Sequence, residues 1–344
     1  MYAKAADILS GFRLSQQYRP ALRYAFGATF IMGLAMATGN QLAYLIPLLS
    51  LSFFAPGTTQ PTLKTSIGFV IIVALSSLFG YAFTSAFYDY KLTYIPLLAL
   101  LLFWIFYTDR ISPTIKLFLL ISLLATPVPQ PGINTKVWAK ILAEALTFGA
   151  ILTVIVVWLV YAMFPDLEDV NKAGKKKIPM PGKDFRFQNA LETLIVTFPV
   201  VLLFIFYQGG NALLVLIYIV ILALLPRGMG VMAGKGKIYG NIIGGIITIA
   251  FYEILTVVPL FFFFLLLFLG TALVFAGIIF SDKPYAGLFK TGFSTLVLII
   301  GSTTSSTSDA ANEIYIRVFQ VMMAVLYVVV AYYILDAIRL KRTG

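Results

Sequence analysis

The 344-residue chain contains no cysteine and no histidine. The first absence excludes disulfides, thiolate metal sites and cysteine nucleophiles. The second removes the commonest metal ligand and the side chain that ordinarily carries protons near neutral pH. Negative charge is also scarce: 14 Asp and Glu stand against 25 Lys and Arg, a formal net charge of +11. A metal site would have to be built from those few carboxylates, so no metal or cofactor is expected and an enzyme is disfavoured. A nucleotide-binding glycine-rich loop is missing, which argues against an ATP-driven pump. The stretch 228–237 resembles one superficially, but it lacks the glycine spacing and the lysine–hydroxyl pair. It is read as a short loop between apolar runs.

What the chain has in abundance is apolar side chain. Hydrophobic residues make up 60% and charged residues 11%, with a mean hydropathy of +0.94. A soluble domain needs more charge than this to cover its surface, so the composition identifies an all-α, polytopic membrane protein. The positive balance is explained by basic cytoplasmic loops, which leaves no case for nucleic acid.

The chain also repeats itself. Gly39-Asn40-Gln41-Leu42 opens an apolar run that closes at Pro56-Gly57, and Gly210-Asn211-Ala212-Leu213 opens one that closes at Arg227-Gly228. The offset is 171 residues at both ends; Asp109-Arg110 returns as Asp282-Lys283 at 173, and Asn134 as Asn312 at 178. Slow drift of the offset is what loop insertions after a duplication produce. Repeated apolar bundles are a mark of transporters, whose substrate sites form between repeats.

Runs long enough to cross about 30 Å of hydrocarbon lie near 21–38, 41–56, 66–88, 92–107, 113–127 and 138–164. Their counterparts lie near 187–207, 210–226, 238–257, 259–280, 285–302 and 312–338. The expected architecture is therefore two repeated six-helix transmembrane bundles, about 12 spans. Residues 1–164 form the first bundle, 165–186 a basic cytoplasmic linker and 187–344 the second bundle. Some short runs are candidates for broken or re-entrant helices. With both termini cytoplasmic, all Lys and Arg but Lys91, Lys136, Lys140 and Arg317 fall inside, as the positive-inside rule requires. An even number of spans per half makes the repeat parallel. The basic N-terminal segment mimics a signal peptide, but cleavage would remove a span that has a counterpart at 187–207; an interfacial helix is the preferred reading.

Arg23, Gly39-Asn40 and the run ending at Pro56-Gly57 resemble the fusaric acid resistance and aromatic acid exporter family. Gly240-Asn241-Ile242-Ile243-Gly244-Gly245, Phe280-Ser281-Asp282-Lys283-Pro284-Tyr285-Ala286, Leu288-Phe289 and Gly292-Phe293-Ser294-Thr295 add to the resemblance. It implies an inner-membrane exporter of aromatic carboxylates, working with a periplasmic adaptor protein and an outer-membrane channel. Plant malate channels, built as dimers of a six-helix unit, look like distant relatives, so homo-oligomerisation stays open. The chain departs from the larger exporters in having no sizeable cytoplasmic domain, only the short linker.

Charges within spans cost about 2.5–3.5 kcal/mol each on insertion scales, so each needs a reason. Lys140 and Glu144 are four apart on the sixth run; Glu313 and Arg317 reverse that order on the twelfth. One reading makes Lys140 and Arg317 attractors of an anionic substrate, with Glu144 or Glu313 as proton acceptors. The other makes them salt bridges at the membrane boundary. Glu253 is the deepest isolated acid, a proton-coupling candidate or an interface residue. Lys116 and Lys290, after Pro113 and Pro284, either receive a carboxylate or snorkel to lipid phosphates. Gly240 and Gly244 read as a close helix contact, and the Ser/Thr run 302–308 as an outer loop. The expected function is proton-driven efflux of organic anions, with a passive anion channel and a non-transporting membrane subunit as alternatives.

Overall fold

A computed structural model describes residues 18–38, 45–108, 111–128, 132–165, 183–206, 215, 216, 219, 230–304 and 310–343. Most of these residues are helical, with no strand among them. The elements are α1 (Arg19–Ala37), α2 (Leu45–Ser50), α3 (Leu63–Phe87), α4 (Lys91–Tyr107), α5 (Pro113–Ala125) and α6 (Thr135–Met163). They continue with α7 (Lys183–Phe206), α8 (Gly230–Val257), α9 (Phe261–Ile279), α10 (Ala286–Thr304) and α11 (Ala310–Thr343). Eight of the described helices are long and apolar enough to cross a membrane: α1, α3, α6, α7, α8, α9, α10 and α11. The chain is thus a multi-pass, all-helical membrane protein. Helices α4 and α5 are apolar but shorter.

Most expected runs lie within a few residues of these helices. Three differ. Of the run 41–56, residues 45–50 form the six-residue α2 and 51–56 a turn, in which Ser52 and Phe53 bond back to the Leu49 and Ser50 carbonyls. Ser50 donates to the Pro47 carbonyl, Ser52 to Leu49, Thr58 to both Phe53 and Ala55, and Tyr161 to Phe53. The end of the expected linker is helical, since α7 starts at Lys183. Of the glycine-rich stretch 228–237, residues from Gly230 onward belong to α8 and not to a loop. Most of the run 210–226 (all but 215, 216 and 219), the N-terminal segment, most of the linker and the Gly-Asn turns lie outside the described residues.

The chain forms two compact units, and each takes residues from both sides of the linker. The first contains α1, α2, α6 from Ile151, α8 from Ile242, α9 and α10. Its core is aromatic: Tyr24, Phe54, Phe264, Phe268, Phe275 and Phe293 are buried together. Within it α1 packs along α9, with Gly33 against the Leu265 side chain. Gly244 of α8 meets the backbone of Gly292 and the side chain of Thr295 on α10, where any Cβ would collide. The small residue at this crossing permits close backbone approach.

The second unit contains α3 from Ile67, α4, α5, α6 up to Ala150, α7, α8 up to Asn241 and α11. Within it α4 packs along α7, and Tyr327 of α11 donates to the Val196 carbonyl of α7 at 2.8 Å. Gly80 of α3 lies against Ser122 of α5; a Cβ there would be 2.7 Å from the Ser122 Cβ and 2.9 Å from its carbonyl. Beside that crossing the Thr84 and Thr126 hydroxyls meet at 2.7 Å, a hydrogen bond between helices in a buried seam. Helix α5 begins at Pro113 behind Ser112, whose hydroxyl accepts from the Ile115 amide at 3.3 Å. That is an N-cap with proline in the first turn.

Candidate functional site

Among the residues whose side chains are described, two charged residues are buried over their whole length, and both are arginines: Arg23 at 4% exposure and Arg317 at 7%. No Asp or Glu is buried among them. Arg23 lies one turn into α1. Its guanidinium carbon sits 4.0 Å from the centroid of the Tyr161 ring on α6, and Nη1 donates to the Phe164 carbonyl at 3.4 Å. Tyr161 is fixed in turn: its hydroxyl donates to the Phe53 carbonyl at 3.0 Å, and Phe54 stacks on its ring. Phe54 fills the space above Gly27, one turn beyond Arg23, where a Cβ would be 2.5 Å from its ring. The result is a guanidinium held by an aromatic wall in the first unit. Cation–π contact stabilises such a charge by about 2 kcal/mol when desolvated.

Arg317 belongs to the second unit, on α11. It is the one expected substrate-binding residue that the fold buries. Lys140 and Glu144 do meet on α6, with Nζ 3.8 Å from Oε1, but their side chains are 64% and 68% exposed. They share the outward stripe of α6 with Val137, Ile141, Phe148 and Ile151. Lys116 is half-buried and Lys290 exposed. Glu253 is exposed on α8. Glu313 belongs to α11, but its side chain lies outside the described residues. The expected outer loop at 302–308 begins instead as helix: Ser302 and Thr303 are buried and donate to carbonyls of Ile299 and Ile300.

The aromatic run Phe261–Phe264 divides between environments. Phe264 is buried in the core of the first unit, whereas Phe261 and Phe262 are 54% and 71% exposed. Among the described residues no three His, Cys, Asp or Glu side chains gather into a metal site.

A further cluster sits where α3 turns into α4 in the second unit. Asp89 pairs with Lys136 at 2.6 Å, both side chains being exposed. Lys91 opens α4 and lays its ammonium over the Tyr88 ring. Tyr88 meets Tyr94 edge-on at 5.6 Å, and Tyr94 packs on Phe83 at 5.1 Å. Neither this lysine nor Arg23 stood out as a site residue in the sequence. Both look there like ordinary flanking charges.

No protein-family model, curated protein or solved structure matches the chain.

Proposed function

We propose that the chain is a secondary exporter of organic anions, with aromatic carboxylates as the substrate class, driven by the proton gradient. The observation that carries this reading is the sign of the buried charge: Arg23 and Arg317 are buried, and no acid is buried among the residues whose side chains are described. Intramembrane charges are expensive and mark substrate paths or relays. Buried cations favour anions over cations and neutral solutes. Arg23 in the first unit and Arg317 in the second each offer a cation to a carboxylate in this account, and Lys290 and Lys116 gather the anion at the cytoplasmic boundary. Glu253, Glu144 and Glu313 remain the carboxylates through which proton coupling runs. Lys140 serves at the rim.

The packing supports a duplicated, parallel architecture of six plus six spans. The first helix of one half lies on the fourth of the other in both units, α1 on α9 and α7 on α4. The third helix crosses the fifth at a glycine in both, α3 on α5 at Gly80 and α8 on α10 at Gly244. Each unit is then built by exchange between the halves. The charge asymmetry of the loops supports cytoplasmic termini, and the resemblance to aromatic acid exporters implies a bacterial inner membrane. The resemblance to aromatic acid exporters adds a periplasmic adaptor and an outer-membrane channel as partners. A passive anion channel is the second reading, favoured by the exposure of Glu253 and Glu144. The charge rule is tested with purified protein in liposomes. Benzoate flux is expected without benzylammonium flux, and equal flux of both overturns it.

A further inference from the structure

Lys91 occupies an unfavourable place for a cation. It is the first residue of α4, at the positive end of the helix dipole. The helix start has no acidic residue in its first turn, and Tyr90 before it supplies no side-chain cap. The Lys91 ammonium is buried and finds no hydrogen-bond acceptor; only the face of Tyr88 lies beneath it. A ring face replaces little of the hydration that a buried ammonium loses. The nearest carboxylate in sequence, Asp89, is committed to Lys136. One turn along α4, Tyr94 is fully buried and its hydroxyl lies beside Thr84 without reaching hydrogen-bond geometry. Two buried donors, one of them charged, thus stand on the same turn, with Thr84 the polar side chain beside the Tyr94 hydroxyl, against the rings of Tyr88 and Phe83, on which Phe87 packs.

We propose that this turn binds an aromatic carboxylate, with Lys91 receiving the carboxylate, Tyr94 donating to it and Tyr88, Phe83 and Phe87 flanking its ring. The assignment rests on the organic-anion reading and adds a location to it. The Lys91 side chain is only partly enclosed, so its four-carbon stem lets the ammonium leave the Tyr88 face for a bound anion. An anion here also completes the helix N-terminus. A ring beside the carboxylate gains stacking against the aromatic walls.

The test is equilibrium binding of radiolabelled benzoate to the full chain in lipid nanodiscs, with benzamide as the neutral competitor. Lys91→Gln is expected to weaken benzoate at least about 10-fold, the effect of losing a charge-assisted hydrogen bond. Lys91→Arg is expected to stay within about 3-fold, which separates charge from folding, and Tyr94→Phe to lose about 3-fold. Benzamide is expected not to compete. Wild-type affinity in Lys91→Gln, equal binding of benzamide, or no benzoate binding by the wild type overturns the site. Benzoate flux unchanged in Lys91→Gln overturns the site and leaves the transport reading standing. Benzoate bound through Lys91 but never carried upholds the site and overturns that reading.

Discussion

Replacing Arg23 by methionine separates a structural clamp from a substrate contact. A charge in a membrane helix costs about 2.5–3.5 kcal/mol to insert. At Arg23 that cost is offset by the contact with Tyr161, about 2 kcal/mol, and by the long hydrogen bond to Phe164, about 1.5 kcal/mol at the low end for a charged donor. The terms nearly cancel. Methionine has similar length, keeps contact with the Tyr161 ring and carries no charge to desolvate. Arg23→Met is therefore expected to change unfolding free energy by no more than about 1 kcal/mol. Carboxylate flux per folded molecule is expected to fall at least about 10-fold, since the cation that attracts the anion is gone. Tyr161→Ala is the contrasting variant. It loses the stack on Phe54, the bond to Phe53 and the seat of Arg23 together, for about 3–5 kcal/mol. Thermal unfolding followed by tryptophan fluorescence, paired with benzoate flux in liposomes, reads both quantities. Arg23→Met that unfolds several kcal/mol more easily yet transports normally would refute the reasoning, because Arg23 would then be a clamp only.

The glycine crossings give a second expectation. Gly80→Val and Gly244→Val each drive a side chain into the backbone of a facing helix and are expected to destabilise by about 1–3 kcal/mol or more, read as a lower unfolding temperature. Lys140→Gln removes one partner of an exposed pair, and is expected to move stability by less than about 0.5 kcal/mol and to lower flux less than Arg317→Gln does. The exchange between halves predicts that residues 1–164 and 187–344, expressed separately, fail to give stable protein alone and recover when co-expressed. Co-purification of the two pieces checks this; a stable, monodisperse 1–164 on its own would refute it.

The long helices were legible because a run such as 261–279 is apolar throughout and ends at Pro259 on one side and Ser281-Asp282 on the other. Length and hydropathy are enough there. The run 41–56 is also apolar but carries Pro47 and Pro56, and its described part is a six-residue helix and a turn whose backbone bonds tighten from Leu51 on Pro47 to Ser52 on Leu49 and Phe53 on Ser50. The Phe53 carbonyl is also held by the Tyr161 hydroxyl, which is remote in sequence, so no local pattern announces that contact.

Which charges are buried was less legible. In water an apolar stripe marks the buried face of a helix, but lipid is as apolar as a core, and both faces of α6 look alike. Lys140 and Arg317 therefore appear equivalent in the sequence, while the fold exposes one and buries the other. Arg23 reads as one more inside-positive charge until Tyr161 and Phe54 are placed around it. Gly244 was recognisable through its spacing from Gly240; Gly80, spaced by four from Ser76 and Thr84 and not from another glycine, was found only from its contact with Ser122.

The central claim is gradient-driven carriage of an organic anion. Its most direct test is uptake of radiolabelled benzoate into inverted membrane vesicles containing the protein, with and without an imposed proton gradient. The account predicts accumulation above the outside concentration that collapses when the gradient is dissipated. Flux indifferent to the gradient contradicts proton coupling and identifies a channel, and an absence of flux contradicts carriage of this substrate class altogether.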